Sequence, residues 1–495
     1  MDNPHPQTRA NGKENLDQDS GITTLLSDFA STTTAHGVGR IAASSDYRFK
    51  FSWLAVWFGV MISFTWMVVK LAVLYTSRPV STGISVSYEE FLTFPGVTIC
   101  NFNMLLKSKV KSMLEQKNSI FNKNRTTTDV RKNFFASTRQ MGTALNMSNI
   151  KVDSVNDVIG DVIAEINSKS LDYRTTNSYQ FHDFITYCSW AGLRCNHGYF
   201  ETKYWKRTWN WKYGNCFTFN GYTYDNGTAI EPLVSSGDGG TDLRITIDMK
   251  KSEYIPSLTL QEGIRILIED QDMPLYPFEK ALSIAPGMSA SISIKKSVVE
   301  REDVHGNGSC RAAGSETRKY SVQDCVAKCK GNTQIRLCNC TDVQYSQLVE
   351  SRACKAMEEK QCIMFVHGNF SRGLIECNSK CPQPCREIFF AKSISQANVY
   401  PTGFLKIHSI KNMTTAYVKE NIILIEIKYR DQTVQTVATK AYYKFDNLMS
   451  DIGGQLGLWI GVSAVTCIEF VALLWNIVAY IMHRRKLNKI KQSNT

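Results

Sequence analysis

Several signatures of common protein classes are missing from the 495-residue sequence. Neither G-x-S-x-G nor H-E-x-x-H occurs, so the sequence lacks the motifs of α/β-hydrolases and of zinc metalloproteases. The cysteines form no C-x-x-C pair, which disfavours a zinc knuckle, and no internal repeat is present. The first 45 residues are polar and lack the apolar stretch of a cleavable signal peptide. We therefore expect neither an enzyme nor a metal-stabilised fold, and no cofactor.

Two apolar stretches are long enough to cross a membrane. The first runs from Phe51 to Leu74, with Lys70 near one end, where its ammonium group can reach the lipid headgroups. The second begins near Ile452 and runs to Met482, which is ample for ~30 Å of hydrocarbon. A buried core helix is the alternative for either stretch, but both are rich in aromatic residues and carry almost no polar side chains. We predict transmembrane helices over residues 51–75 and 451–482.

Basic residues lie just outside both apolar stretches. Arg40, Arg48 and Lys50 precede the first, and the tail 483–495 follows the second. The positive-inside rule then places both termini in the cytoplasm, with residues 76–450 outside and the first span as its own signal anchor. The tail is expected to contact the anionic lipid of the bilayer. The remainder of the +12 net charge is dispersed, so we expect no binding of nucleic acid.

Glycosylation sequons and cysteines support this topology. All seven sequons lie between the two spans, and we predict glycans at Asn124, Asn146, Asn226, Asn307, Asn339, Asn369 and Asn412. Fourteen of the 15 cysteines also lie between the spans, and Cys467 lies inside the second. An even number in an oxidising compartment predicts up to seven disulfides.

The cysteine spacing predicts a ladder of disulfides over residues 310–385. Cys325 and Cys329 are four apart on a helix that Ser321 opens, so they share one face. Cys377, Cys381 and Cys385 repeat the interval, although the prolines among them require extended chain there. The predicted pairs are Cys329 with Cys377, Cys325 with Cys381, Cys310 with Cys385, and then Cys338 with Cys362 and Cys340 with Cys354. We expect a stiff outer module.

The rest of the outer segment is predicted to be mostly strand. The expected strands are Phe91–Cys100, Leu243–Met249, Ile264–Ile268, Ala290–Val298, Ile422–Tyr429 and Thr433–Ala438, and residues 152–167 have helical spacing. The strand nearest the first span and the hairpin before the second are hypothesised to share one sheet. In that case a distortion of the sheet would pull on both membrane helices.

The second span carries two carboxylates and several glycines. A carboxylate such as Glu469 in mid-membrane costs ~2.5–3.5 kcal/mol on insertion scales, so it faces protein or a watery path. Asp451 and Glu469 would share one face of an unbroken helix. The glycines allow two interpretations that fit about equally well. Gly453, Gly457 and Gly461 have the spacing of a helix-packing motif. Alternatively, the helix breaks at residues 461–463 and exposes backbone carbonyl groups to an ion. Two helices cannot enclose a pore, so several chains are needed.

Five separate stretches carry a resemblance to a known family. They are SDIGGQLGLWIGVS at the second span, His36-Gly37, FPGVTICN at residues 94–101, YGNCFTFN at residues 213–220, and the cysteine ladder. Together they resemble the degenerin and epithelial sodium channel superfamily, which includes acid-sensing and peptide-gated channels. The resemblance implies a membrane protein of mixed α+β structure, in which two transmembrane helices flank a large disulfide-rich, β-containing extracellular domain. It also implies a trimeric channel, homotrimeric or heterotrimeric.

The resemblance further implies roles for particular residues. Gly461, Val462 and Ser463 would form the selectivity filter, where Val462 departs from the usual Ala or Ser of the family. His36 and Gly37 would belong to a cytoplasmic gating loop, and Asn447 would occupy the position where bulky side chains hold relatives open. Cys100 with Cys216, and Cys188 with Cys195, would complete the disulfide set. The permeant ion would be sodium, a blocker of the amiloride type is expected, and the location would be the plasma membrane.

The gating stimulus is predicted from an aromatic segment. Residues 188–216 contain SWAG and resemble channels opened by short amidated peptides of the Phe-Met-Arg-Phe type. We expect the ligand-binding residues among Trp190, Tyr204, Trp205, Trp209 and Trp211, although these rings suit a core or subunit contact at least as well. Proton gating or constitutive activity is the alternative within the family. A non-conducting two-span receptor is the alternative outside it.

Overall fold

The computed structural model of the chain describes residues 22–34, 37–43, 46–110, 162–225, 228–237, 242–255, 258–303, 310–312, 319–355, 357–407 and 413–493. The chain divides into two compact units. One unit combines Met1–Ser81 with Ala441–Thr495, and the other is Thr82–Lys440. The first unit therefore contains both predicted spans, and the second contains the predicted outer domain.

The helices and strands are numbered here in chain order. The helices are α1 (Ile22–Thr32), α2 (Val38–Ala43), α3 (Tyr47–Ser77), α4 (Leu171–Thr176), α5 (Phe181–Phe184), α6 (Gly198–Tyr204), α7 (Pro277–Lys280), α8 (Val322–Cys338), α9 (Val343–Ser346), α10 (Met357–Ser371), α11 (Pro401–Ile407), α12 (Thr415–Asn421), α13 (Phe445–Ile460) and α14 (Ala464–Ser493). Residues 162–168 are also helical, and two 3-10 turns occur at Lys251–Glu253 and Asn378–Lys380. The strands are β1 (Val80–Tyr88), β2 (Leu92–Thr93), β3 (Gly96–Asn101), β4 (Ile185–Trp190), β5 (Leu193–Arg194), β6 (Trp205–Asn210), β7 (Gly214–Phe219), β8 (Tyr224–Asp225), β9 (Thr228–Ala229), β10 (Val234–Ser235), β11 (Leu243–Asp248), β12 (Ile264–Glu269), β13 (Leu282–Ile284), β14 (Met288–Arg301), β15 (Cys310–Arg311), β16 (Gln383–Pro384), β17 (Arg386–Asn398), β18 (Ile422–Tyr429) and β19 (Thr433–Ala441).

The helix α3 contains the first predicted span. Asp46 caps its start, because the carboxylate accepts from the Arg48 amide at 3.1 Å. At its end, Arg78 adopts a left-handed conformation and donates its amide to the Tyr75 carbonyl. None of its residues is buried, and apolar rings such as Trp66 are 58 % exposed. An apolar helix with no buried side is suited to lipid rather than to a water-filled surface.

The same unit holds the second span as two helices, α13 and α14. Both α3 and α14 are long and apolar enough to cross a membrane. Helix α13 packs against α3, and the rings of Tyr75 and Phe445 lie 6.3 Å apart at the outer end of this contact. Nearby, the Tyr442 amide donates to the Pro79 carbonyl at 2.9 Å. The segments that follow the first span and precede the second are therefore hydrogen-bonded to each other.

The other unit is built on two sheets. The larger has the order β1-β19-β14-β18-β11-β4-β5, and β17 pairs along the other edge of β14. Strand β14 runs parallel to β18 and β19 and antiparallel to β17, so this sheet is mixed. The smaller sheet has the order β13-β12-β3-β7-β6. One apolar core joins the inner faces of both sheets, for example where the rings of Phe94 and Trp190 lie 4.7 Å apart.

The predicted strands are present, but one pairing was predicted wrongly. The predicted strand Phe91–Cys100 is divided between β2, which pairs with β10, and β3, which belongs to the smaller sheet, and neither pairs with the hairpin β18–β19. Strand β1, which the sequence analysis missed, pairs with β19 instead. The strand after the first span and the strand before the second thus share one sheet, through a different strand from the one expected. Of the predicted helix over residues 152–167, only residues 162–167 lie within the described chain.

Fourteen cysteines form seven disulfides in the structure. The pairs are Cys100–Cys216, Cys188–Cys195, Cys310–Cys385, Cys325–Cys381, Cys329–Cys377, Cys338–Cys362 and Cys340–Cys354, the same pairs that spacing and resemblance had suggested. Helix α8 presents Cys325 and Cys329, with Ser321 at its N-cap position. The partner segment is a 3-10 turn followed by the short strand β16, because Pro382 and Pro384 do not allow a helix. Cys467 is unpaired and exposed.

Candidate functional site

The second span breaks at residues 461–463. Helix α13 ends at Ile460, and Gly461 follows with φ 70° and ψ 23°, which is a left-handed C-terminal cap. Glycine suits this position because it has no Cβ to clash in the left-handed region. Helix α14 restarts at Ala464. The predicted filter triplet is therefore the non-helical link between two helices.

Ser463 and Thr466 explain why the helix restarts there. The Ser463 Oγ accepts from the Thr466 amide at 3.3 Å, and the Thr466 Oγ1 accepts from the Ser463 amide at 3.2 Å. This reciprocal pair is a capping box in which Thr takes the place of the usual Glu or Gln. Thr466 is fully buried. Ser463 is thus fixed as the N-cap of α14.

The break redirects three backbone amides. The Gly461 and Val462 amides both donate to the Leu456 carbonyl, and the Ser463 amide donates to Thr466. In an unbroken helix these amides would bond the carbonyls of residues 457, 458 and 459. Those carbonyls therefore lose their usual donors just before the filter triplet. Carbonyl oxygens freed in this way can replace part of the water shell of a cation.

Asp451 lies on α13, two turns from its start. Its Oδ2 accepts a 2.6 Å hydrogen bond from the phenol of Tyr443, which is buried. Burial and the neighbouring carboxylate together raise the pKa of Tyr443 to about 12, so the phenol remains a donor. Asn447, the predicted gating position, is exposed and lies one turn before Asp451 on the same helix face. The expectation that Asp451 and Glu469 share a face assumed an unbroken helix, and the break at residues 461–463 removes that assumption.

Glu469 contacts the segment that follows α1. Its Oε2 accepts from the Thr33 hydroxyl at 3.0 Å, the Thr34 amide at 3.0 Å and the Thr34 hydroxyl at 3.3 Å. The Thr34 hydroxyl also lies 2.7 Å from the Thr466 hydroxyl. A carboxylate in the span is therefore satisfied by neutral donors rather than by a cation. Sequence analysis missed both threonines and Tyr443.

Helix α1 is held against α14 at this level. The rings of Phe29 and Phe470 lie 5.0 Å apart. Gly37, the second residue of the predicted gating pair, has φ 88°, and a Cβ added there would lie 3.4 Å from the Trp57 ring. Its partner His36 lies outside the described residues. The segment before the first span thus reaches the inner half of the second.

The structure separates the five predicted ligand residues into two groups. Trp190, Tyr204 and Trp205 are buried in the main core, where the Trp205 indole donates to the Cys195 carbonyl at 2.9 Å. Their burial favours packing over ligand contact for these three rings, and ligand binding by them stays a prediction. Trp209 and Trp211 are half-buried. The Trp209 indole donates to Asn167 at 3.0 Å, and the Trp211 ring lies 6.2 Å from that of Phe278.

Two predicted glycosylation sites lie within the described chain. Asn339 is exposed in a left-handed conformation at the end of α8. Asn369 is half-buried near the end of α10 and accepts from Arg372 at 3.3 Å. Asn124, Asn146, Asn226, Asn307 and Asn412 lie outside the described residues. All seven remain predictions.

Comparison with known proteins identifies the class. The family model described as "Amiloride-sensitive sodium channel" matches residues 29–473. The epithelial sodium channel subunit alpha of Rattus norvegicus is 25 % identical over 545 residues, covering 92 % of this chain and 75 % of that protein. The bile acid-sensitive ion channel of Rattus norvegicus is 26 % identical over 461 residues, covering 90 % and 87 %. Acid-sensing ion channel 1C of Danio rerio is 24 % identical over 483 residues, covering 92 % and 84 %.

Two apolar helices flank a disulfide-rich β domain in the chain, and the second span contains a helix break. This arrangement defines a two-span membrane channel protein. The chain belongs to the amiloride-sensitive sodium channel family. It is a sodium-selective ion channel of the plasma membrane with both termini in the cytoplasm, and not an enzyme.

Proposed function

We propose that several copies of this chain, most simply three, line one pore with α13, the 461–463 link and α14. The observation that carries this proposal is the group of redirected amides at Gly461, Val462 and Ser463. They leave carbonyl oxygens available at one level of an otherwise apolar span, which is the chemistry that a partly dehydrated cation requires. One chain supplies only two spanning helices, so a closed ring of copies is needed.

In this proposal the two carboxylates have different roles. Asp451 lies on the extracellular side of the break, where its negative charge raises the local concentration of sodium ions. Glu469 lies on the cytoplasmic side of the break, where its three hydrogen bonds hold the segment with Thr33 and Thr34 against α14. The gating role of Gly37 and its neighbours fits this contact, because the segment that carries them begins beside Glu469. Amiloride block is expected of the assembled channel.

We further propose that an extracellular amidated peptide opens the channel. The support is the resemblance of the SWAG segment and an exposed aromatic and cationic surface on α6. Tyr199 is 65 % exposed, and its hydroxyl contacts the Lys203 Nζ at 2.6 Å. The Lys203 Nζ lies 5.1 Å from the Tyr199 ring centroid and 5.4 Å from that of Tyr204. An exposed ring of this kind can stack on a phenylalanine side chain of a peptide.

Voltage-clamp recording of cells that express the full chain tests both proposals. Amidated Phe-Met-Arg-Phe should evoke an inward sodium current that amiloride blocks. Tyr199→Ala should raise the half-maximal peptide concentration, whereas Leu374→Ala, at an exposed apolar residue outside residues 188–216, should not. A current evoked by acid steps but not by peptide would replace peptide gating with proton gating. Surface-expressed protein that passes no current under any condition would favour the receptor alternative.

A further inference from the structure

Strand β6 forms an open edge of the smaller sheet. In the order β13-β12-β3-β7-β6 it pairs with β7 on one side and with no strand of the described chain on the other. An edge of this kind presents unpaired amide and carbonyl groups, to which a second extended chain can bond. Neither the proposed pore nor the exposed surface of α6 uses this edge.

The hydrogen bonds at the start of β6 show which of its residues bond to β7. The Asn220 amide donates to the Tyr204 carbonyl at 2.9 Å, so these two residues form a hydrogen-bonded pair. The next amide, that of Trp205, donates to the Glu201 carbonyl and not to β7. Hydrogen-bonded and non-hydrogen-bonded pairs alternate along an antiparallel ladder. The even-numbered residues of β6 therefore bond to β7.

The odd-numbered residues direct their backbone groups to the open edge. Lys206 and Thr208 bond to β7, and Arg207 lies between them. The amides and carbonyls of Arg207 and Trp209 form no other backbone hydrogen bond within the described residues. Strand β6 has six residues, which corresponds to ~20 Å of extended chain. The edge is thus long enough for a peptide of about six residues.

Cations without counter-ions accompany this edge. Residues 202–224 contain no carboxylate but four cations, which are Lys203, Lys206, Arg207 and Lys212. Arg207 is exposed, and no ion pair among the described residues involves it. Lys212 is half-buried in the turn after β6, where its Nζ lies 3.9 Å from the centre of the Phe278 ring. Burial, followed by the nearby charge of Arg265, lowers the pKa of this ammonium group, and no described carboxylate opposes the change.

The charges decide which kind of strand can pair there. A second copy of this chain would bring its own cations to the edge, so pairing of two β6 edges is unfavourable. An acidic strand instead places carboxylates beside Arg207 and Lys212. When a peptide is added to a sheet edge, main-chain hydrogen bonds supply the affinity and side chains select the partner. An extended acidic peptide satisfies both the open backbone groups and the unpaired cations.

We propose that the open edge of β6 binds an extended acidic segment of another extracellular polypeptide as an added strand. The backbone of this segment bonds the outward groups of Arg207 and Trp209, and its carboxylates lie near Arg207 and Lys212. The site depends on neither the pore assignment nor peptide gating. Amidated Phe-Met-Arg-Phe is itself cationic, so it should not compete for this edge.

Binding is tested on the purified full chain in nanodiscs of neutral phosphatidylcholine, by fluorescence anisotropy at physiological ionic strength. The probe is a fluorescein-labelled hexapeptide of alternating glutamate and valine. One control has the same side chains but a methyl group on every backbone amide, and the other replaces glutamate by lysine. The probe should bind at least ten-fold more tightly than either control. Equal binding of the methylated peptide would reduce the effect to charge attraction and overturn strand pairing. Equal binding of the lysine peptide, or no binding of the probe, would also overturn the proposal.

Three variants locate the site. Arg207→Ala removes the charge but keeps the outward amide, and it should weaken binding several-fold. Arg207→Pro also removes that amide hydrogen, which takes no part in pairing with β7, and it should weaken binding at least ten-fold more than Arg207→Ala does. Lys419→Ala removes a charge from an exposed position on α12 and should change nothing. Equal binding by Arg207→Pro and Arg207→Ala, with an unchanged thermal transition, would show that the edge is not the site. If Arg207→Pro does not fold, the methylated peptide still decides the outcome.

Discussion

Gly461→Ala, at the start of the link, should alter ion selectivity more than a methyl group added at any glycine of α13. Gly461 has φ 70°, and an L-residue in the left-handed helical region costs roughly 1–2 kcal/mol relative to the right-handed one. A difference of this size changes the equilibrium between the broken link and a more helical one by a factor of about 5–30. A more helical link would return amide donors to the carbonyls before the filter. The relative permeability of sodium over potassium and the unitary conductance should both fall.

Two further variants separate backbone strain from added bulk. Gly453→Ala adds the same methyl group inside α13, where no atom lies within 4 Å, and it should stabilise the helix by roughly 0.5–1 kcal/mol. Gly461→Asn adds a larger side chain that tolerates the left-handed conformation better than Ala does. Selectivity should therefore fall in the order Gly, Asn, Ala at position 461, and it should be retained in Gly453→Ala.

Bi-ionic reversal potentials and single-channel currents provide the measurement. They report permeability ratios independently of how many channels reach the surface. If Gly461→Asn impairs selectivity as much as or more than Gly461→Ala, side-chain size rather than backbone conformation decides the outcome. If neither variant changes the reversal potential, the 461–463 link does not set selectivity, and the proposed pore would be wrong at its central point.

Three other changes are expected to have measurable effects. Tyr443→Phe removes the phenol that donates to the carboxylate on α13, a contact worth ~1.5–3 kcal/mol for a charged acceptor, and should change the open fraction in single-channel records, whereas Tyr442→Phe, at a 62 % exposed neighbour, should not. Trp205→Phe removes a buried indole hydrogen bond and should destabilise the extracellular unit by ~1 kcal/mol or more in thermal unfolding. Cys329→Ser combined with Cys377→Ser should lower its stability by ~2–4 kcal/mol, and an unchanged thermal transition would show that this rung contributes nothing.

Local patterns in the sequence predicted most of the fold. The long apolar runs gave both spans, and alternating or β-branched segments gave strands such as β18, at its full length, and β11 to within one residue. Strand β1 was missed although Val80, Ile84, Val86 and Tyr88 recur at even spacing. Ser, Thr and Gly83 lie between them, and every residue of the strand is exposed, so it lacks the buried face that makes a strand recognisable.

The break in the second span carries its own local signs. A glycine after an apolar helical run is typical of a C-terminal cap, and a Ser with a polar residue three positions later is typical of a new helix start. Gly461, Ser463 and Thr466 satisfy both rules. The sequence left the break and helix packing as alternatives, because the four-residue spacing of the glycines also fits a packing motif. In the structure the helix ends at Gly461 and continues through Gly453 and Gly457.

The aromatic segment shows what composition cannot decide. Trp205 and Trp209 lie four residues apart on β6, so they face the same side of the strand, yet Trp205 is buried in the main core and Trp209 is half-buried against a second apolar cluster. A count of rings does not distinguish these two positions. The pairing of β6 with β7 places each ring beside different neighbours, and this depends on contacts that no single segment contains.

The contacts of Glu469 lie beyond any local rule, since Thr33 is 436 residues away in the chain. They nevertheless connect two parts of the site. The Thr466 hydroxyl accepts from the Ser463 amide in the proposed filter link and lies 2.7 Å from the Thr34 hydroxyl. The Thr34 amide in turn donates to Glu469. A hydroxyl has one proton and two lone pairs, so Thr466 has little capacity left for water. Displacement of the threonine segment would therefore change the hydrogen bonding of Thr466, which bonds the Ser463 N-cap of α14 and so helps to fix the proposed filter link.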